Sequence, residues 1–104
     1  MIAGLRVVRI TGRSMEPVLF EGDLAFGRGP TRFRPACIGD VVLVERPGIG
    51  LTVKRLIPGP SGLFGLRGDG GGSAPSVDLG HVAPDQIIAV LRWRLRRGWP
   101  TRVR

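Results

Sequence analysis

The sequence predicts a mainly β protein, a single compact, twisted antiparallel β domain of the barrel-like kind, and three observations carry that expectation. Seventeen glycines and nine prolines among 104 residues cut the chain into short runs, as hairpins require and long helices do not tolerate. The runs between them are β-prone, and none sustains an apolar stripe of period 3.6. The length allows one modest core and not two, and no internal repeat is visible.

Six strands are expected, each bounded by turn residues. Leu5–Thr11 ends at Gly12, Asp23–Gly27 starts after Gly22, and Asp40–Glu45 starts after Gly39. In the last two, an aspartate follows glycine and precedes an apolar run, which suits turn residues opening strands rather than catalytic carboxylates. Leu51–Ile57 ends at Pro58-Gly59, Gly62–Arg67 ends at Gly68, and Gln86–Leu95 closes the series.

Charge singles out one side chain. Of sixteen basic residues fifteen are arginine, and the one lysine, Lys54, lies in the apolar run Leu51-Thr52-Val53-Lys54-Arg55-Leu56-Ile57. Arginine stays charged in proteins, whereas a desolvated lysine can become a neutral amine and act as a general base. Strand alternation sets Thr52, Lys54 and Leu56 on one face and Leu51, Val53, Arg55 and Ile57 on the other. To work near neutral pH the lysine pKa must fall to roughly 7 from about 10.4, which is about 4 kcal/mol of differential interaction.

A nucleophile for such a base is sought among four serines, Ser14, Ser61, Ser73 and Ser76. Ser14 has an organised setting, because the first strand meets Gly12 and then a short segment containing Pro17. Such a corner holds a hydroxyl at a strand end. The plainer role for the same residue is the cap of a single helical turn.

The segment Gly12-x-Ser14-Met15-x-Pro17-x-Leu19 followed by Gly22-Asp23 resembles the nucleophile segment of type I signal peptidases and their serine/lysine-dyad relatives, including LexA-type repressors. Gly39-Asp40-Val41-Val42 resembles the second strand signature of that superfamily, and Val53-Lys54-Arg55-Leu56-Ile57 with Pro58-Gly59 resembles its lysine segment. Gly68-Asp69 opens what looks like the final box, and Gly80-His81-Val82 closes it. In that box Pro75 stands where the family has an aspartate and Val77 where it has an arginine, so the usual ion pair is missing. Asp78, with Arg55 or Arg67, is the substitute the sequence offers.

The resemblance implies the LexA/signal peptidase-like fold and a serine endopeptidase that removes a leader or signal peptide through an acyl-enzyme, with Ser14 as nucleophile and Lys54 as general base. By position Ser73 resembles the serine that orients the lysine. Ile10, Met15, Leu19 and Val53 fall where related enzymes line a shallow apolar pocket, which implies substrates with small residues such as alanine before the cut. The family's oxyanion donors map to the Ser14 backbone N–H and to position 12; Gly12 has no side chain, so backbone donors would serve. The short soluble maturation proteases, such as those of nickel-type superoxide dismutase, are the members it most resembles. Thirteen residues precede Ser14, too few for a helix-turn-helix or a self-cleavage segment, so the substrate is expected in trans.

No cofactor and no metal is expected. His81 is the only histidine and Cys37 the only cysteine, which excludes a histidine or thiolate cage, and Glu16 stands where a nucleophile elbow needs its second glycine. Cys37 in Pro35-Ala36-Cys37-Ile38 reads as a buried loop anchor. The Gly70-Gly71-Gly72 run reads as a turn rather than a phosphate loop.

The net charge of +8 concentrates toward the C-terminus. The division expected is a peptidase domain over 1–97 and a basic tail over 98–104. Alternation sets Arg92, Arg94 and Arg96 on one face, and Leu91, Trp93 and Leu95 on a half-buried one. Contact with an anionic membrane surface is the leading functional reading of this charge, with nucleic acid behind it. No run approaches the roughly 20 apolar residues of a membrane span, and a cytoplasmic or peripheral membrane location is expected. The alternative to a peptidase is a non-catalytic basic β module on the same scaffold, binding nucleic acid or anionic lipid.

Overall fold

The computed structural model describes residues 4–70 and 80–104. Eight strands form one antiparallel sheet: β1 (Leu5–Arg9), β2 (Leu24–Arg28), β3 (Val41–Arg46), β4 (Gly50–Pro58), β5 (Phe64–Arg67), β6 (His81–Val82), β7 (Ile87–Arg96) and β8 (Trp99–Arg102). The order is β1-β2-β7-β3-β4-β5-β6, with β8 added to β7. The only other described element is a single 3-10 turn, Pro84–Gln86. The mainly β antiparallel expectation therefore holds.

Strand β3 is buried on both faces, as a continuous apolar run requires. Val41 and Leu43 join Ile10, Met15, Leu19, Ala25, Ala89 and Leu91 in one core. Val42 and Val44 join Leu56, Leu66, Val82, Ile87 and Val90 in a second, on the opposite face. The first core receives the segment between β1 and β2, and the second is closed by β4, β5 and β6.

The C-terminal stretch departs from expectation. Residues 99–102 are not a free tail: β8 pairs with β7 from Arg96↔Trp99 to Trp93↔Arg102. The hairpin turns through Arg97 and Gly98, both at positive φ (53° and 77°), the backbone that tight two-residue hairpins need. Val103 then packs against the first core.

The expected faces of β7 are also corrected. Between β2 and β7 the register runs Ala25↔Arg94, Phe26↔Trp93, then Gly27↔Leu91, so Arg92 is an extra residue in a bulge. An extra residue shifts the alternation by one position. Leu91 stays buried, but Arg94 and Arg96 turn to the first-core side and Trp93 is 42% exposed. The strands also approach closely here: a Cβ on Gly27 would lie 1.8 Å from the Val90 carbonyl oxygen, so only glycine fits.

Cys37, expected as a buried anchor, is exposed. The tight turn around it is held instead by Asp40, whose carboxylate accepts the Cys37 N–H at 2.8 Å. Asp23 does the same for the Phe20 N–H, also at 2.8 Å. Both aspartates are thus turn residues, as read from their Gly-Asp setting.

Candidate functional site

Ser14 lies on a loop closed at its base. Beyond β1 the ladder continues through Ile10 N–H to Asp23 O and Gly22 N–H to Ile10 O, each 2.8 Å, so the chain leaves and re-enters the sheet at one place. Gly12 takes the positive φ of 77° that starts the excursion, and its N–H donates to Glu21 Oε1 at 3.1 Å. Two turns follow, Glu16 N–H to Arg13 O and Leu19 N–H to Met15 O; there is no helix for Ser14 to cap. Met15 and Leu19, 2% and 0% exposed, pin the loop to the first core.

Half-buried Ser14 opens into a cleft of about 80 Å³. Val8, Arg9, Ile10 and Thr11 form one wall, Leu51, Thr52 and Val53 of β4 form the other, and Ser14 and Met15 close the end. Of the side chains expected in a substrate pocket, Ile10, Met15 and Val53 line this cleft. Leu19 does not; it is wholly buried beneath it in the core. Gly12 is not among the lining residues, and its N–H is already taken by Glu21. Among the described residues the Ser14 N–H has no such partner.

Both walls present open sheet edges. Among the described residues β1 pairs only with β2. β4 pairs with β3 along Gly50–Arg55, but its pairing with β5 begins only at Arg55↔Arg67, so Leu51–Lys54 has one unpaired edge among the described residues.

Lys54 sits at the end of that open stretch, directly across from Val42, which is 0% exposed. It shares its face with Thr52, a cleft residue, and with Leu56 of the second core, as alternation predicted. Lys54 itself is not among the lining residues. It has no ion-pair or hydrogen-bond partner among the described residues, and burial alone pushes its ammonium pKa down from the ordinary lysine value. A neutral amine is therefore more accessible here than at the surface. Ser73, the residue expected to orient the lysine, lies outside the described residues, as do Pro75, Val77 and Asp78.

One residue missed in the sequence ties the two candidates together. Asp69 receives a fork from Arg55, Nε to Oδ1 at 2.8 Å and Nη2 to Oδ2 at 2.6 Å. The pair is nearly buried, and Asp69 chiefly raises the Arg55 guanidinium pKa. Arg55 also donates to the carbonyls of Gly39 and Arg104. The next residue, Gly70, donates its N–H to Ser14 O at 2.8 Å. The path from Lys54 through Arg55, Asp69 and Gly70 to Ser14 is continuous, covalent or hydrogen-bonded at each step. The signal was present in Gly68-Asp69, but nothing local shows which arginine reaches back.

A second fork, missed likewise, holds the Ser14 loop. Arg96 Nε and Nη2 donate to Asp23 Oδ1 and Oδ2 at 2.9 and 2.8 Å, and its guanidinium stacks 4.4 Å from the Phe20 ring centre. Arg94 donates to the Val18 carbonyl. The Arg96 hydrogen bonds, chiefly, lower the Asp23 carboxyl pKa below its ordinary value.

His81 lies in a separate cleft with Glu45, Arg46 and Gln86, away from the lining of the Ser14 cleft. No described group of histidine, cysteine or carboxylate side chains is arranged to hold a metal. No described helix is long and apolar enough to cross a membrane.

The Peptidase S24-like family model matches residues 3–66, which include Ser14, both walls of its cleft and Lys54. The chain belongs to that family, within the LexA/signal peptidase superfamily that the four segments resembled. No curated protein and no solved structure matches the chain significantly.

Proposed function

Taking membership of the Peptidase S24-like family as the premise, we propose that this protein is a serine endopeptidase that removes a leader or signal peptide from a partner protein, with Ser14 as nucleophile and Lys54 as general base. The observation that carries the reading is the cleft itself, in which Ser14 stands between two open strand edges, one of them the strand of the only lysine. An extended peptide laid between β1 and β4 can pair with either edge, as peptides add to sheets elsewhere. A cleft of about 80 Å³ lined by Ile10, Met15 and Val53 suits a small side chain, so alanine-like residues are expected before the cut. A maturation protease acting on a leader peptide is the member type this suits.

In the first step Ser14 Oγ bonds to the scissile carbonyl carbon while its proton passes to the neutral Lys54 amine. The Ser14 N–H, which has no partner among the described residues, is the donor for the developing oxyanion. Collapse breaks the C–N bond, the leaving amine takes the proton from Lys54, and an ester to Ser14 remains. Water then attacks the ester and gives a proton to Lys54, which passes it to Ser14 Oγ as the C–O bond breaks, so the new carboxyl group leaves and the Ser14 hydroxyl and neutral Lys54 amine are restored. Peptide paired along the open edge of β4 as far as Lys54 would shield the amine from water, so the pKa already lowered by burial should fall further.

Ser14→Ala should abolish cleavage of an alanine-x-alanine peptide with melting unchanged. Lys54→Arg keeps charge and most of the length but cannot release its proton, so turnover should fall by roughly 10³-fold or more while the fold survives. The wild-type rate should climb with pH along a limb below the ordinary lysine value, because only the neutral amine accepts the proton. An arginine variant retaining about a tenth of the rate, measured with melting on one preparation, removes Lys54 as the base. The non-catalytic basic module is the reading that a silent Lys54→Arg in a cleavage-free protein would favour.

A further inference from the structure

A second cleft, of about 380 Å³, opens where β1, β2 and β7 meet the Gly29–Arg34 loop. Its apolar lining includes Leu5, Phe26 and Trp93, and its polar lining includes Arg28, Arg34 and Arg92; no acidic side chain lines it. None of those three guanidiniums has a carboxylate partner among the described residues. The floor belongs to a cross-strand row, Val7↔Phe26↔Trp93↔Arg102, with Val7 60% exposed. The bulge at Arg92 is what turns Trp93 outward and makes this face. An occupant must bring negative charge and an apolar side chain together.

The position identifies the occupant. Leu5, at one end of β1, lines this cleft, and Val8 to Ile10, at its other end, line the cleft of Ser14. From Leu5 to Ile10 an extended strand spans about 17 Å. We propose that this cleft is a second subsite for the protein substrate, which takes an acidic and apolar segment about five residues along the chain from the bond presented to Ser14. The inference rests on the peptidase reading above. A substrate running along the open edge of β1 passes Leu5 and the Ser14 cleft in turn, and side chains it sends across β1 meet Arg28 and Arg92, which have no carboxylate partner among the described residues. A stacked nucleobase is less well served, because the Arg102 guanidinium already lies 5.7 Å from the centre of the Trp93 ring. A second copy of this chain would bring the same positive charge to the face.

Binding is read first, on the Ser14→Ala protein, from the anisotropy of the labelled peptide acetyl-DFELDE-amide and its basic counterpart acetyl-KFKLKK-amide. The acidic peptide should saturate and the basic one should not bind. The double substitution Arg28→Glu and Arg92→Glu should weaken the acidic peptide about tenfold or more. Wild-type protein is then given an alanine-x-alanine peptide with and without the acidic–apolar segment. The longer substrate should show a KM about tenfold lower at similar kcat, and the double variant should erase that advantage while cleaving the short peptide normally. Equal KM values for the two substrates, or no binding of the acidic peptide, overturn the subsite. So does an oligothymidylate or a phosphatidylglycerol vesicle that binds through Arg28 and Arg92 while the acidic peptide does not. If neither substrate is cut, the peptidase reading fails, and the anisotropy still decides whether the cleft takes an acidic peptide.

Discussion

Ser14 and Lys54 lie on segments that are fastened alike and supported differently. Ser14 rides on a loop outside the sheet, anchored by Met15 and Leu19 below and by the Arg96–Asp23 fork at its return. Lys54 lies inside β4, anchored by ladder bonds to β3 and by the Arg55–Asp69 fork next to it. Asp23 also satisfies the Phe20 N–H, so its fork is part of the loop's own turn. Asp69 leads instead to Gly70 and the Ser14 carbonyl. One fork therefore shapes the Ser14 loop, and the other sets the distance between that loop and the lysine strand. The comparison teaches that the proposed dyad, split over two segments, needs one device for folding and another for alignment.

The largest effect expected is on the first fork. Asp23→Ala removes the turn acceptor and leaves Arg96 without its carboxylate, and it should cost about 3 kcal/mol in chemical denaturation. Protein that remains folded should cleave with nearly normal kcat. Asp69→Ala should show the reverse pattern, because Arg55 keeps the Gly39 and Arg104 carbonyls. Its melting should drop less than that of Asp23→Ala, while kcat falls about tenfold and KM changes little. If the two variants lose stability and kcat in the same proportion, the division of labour is wrong.

Acid sharpens the contrast. The folded Asp23 pKa lies below its ordinary value, so its contribution is present above the unfolded value of about 3.9 and is lost as pH falls through the folded one. The stability gap between wild type and Asp23→Asn should be constant near neutrality and shrink below about pH 4. A gap that persists to the acid end of the melting series would mean that the charge of Asp23 is not what holds the loop.

The smallest effect concerns Lys54 itself. Its folded pKa is lowered, so the unfolded chain holds the proton more tightly. The cost is complete below the folded pKa and fades as pH rises to the ordinary lysine value of about 10.4. Lys54→Met should therefore raise stability slightly at pH 7, with the difference closing toward pH 10. A methionine variant that is less stable than wild type across that range would show that Lys54 has a structural partner.

The sequence alone determined the strands whose apolar runs end at glycine or proline, β1 to β5 and most of β7, because punctuation and side-chain period are local properties. It also singled out Ser14 as the serine at an organised corner and Lys54 as the one cation able to lose its proton. β6 is two residues long and β8 is four residues interrupted by Pro100 between Trp99 and Thr101, so neither has a period to read. Which face the β7 arginines occupy depended on one extra residue at Arg92, and a bulge belongs to a pair of strands rather than to either sequence. The partners of Arg55 and Arg96 lie 14 and 73 residues away along the chain. Only the tertiary structure decided those pairings, because an ion pair is chosen by the distance between two side chains after the sheet has closed, and no local pattern encodes that distance.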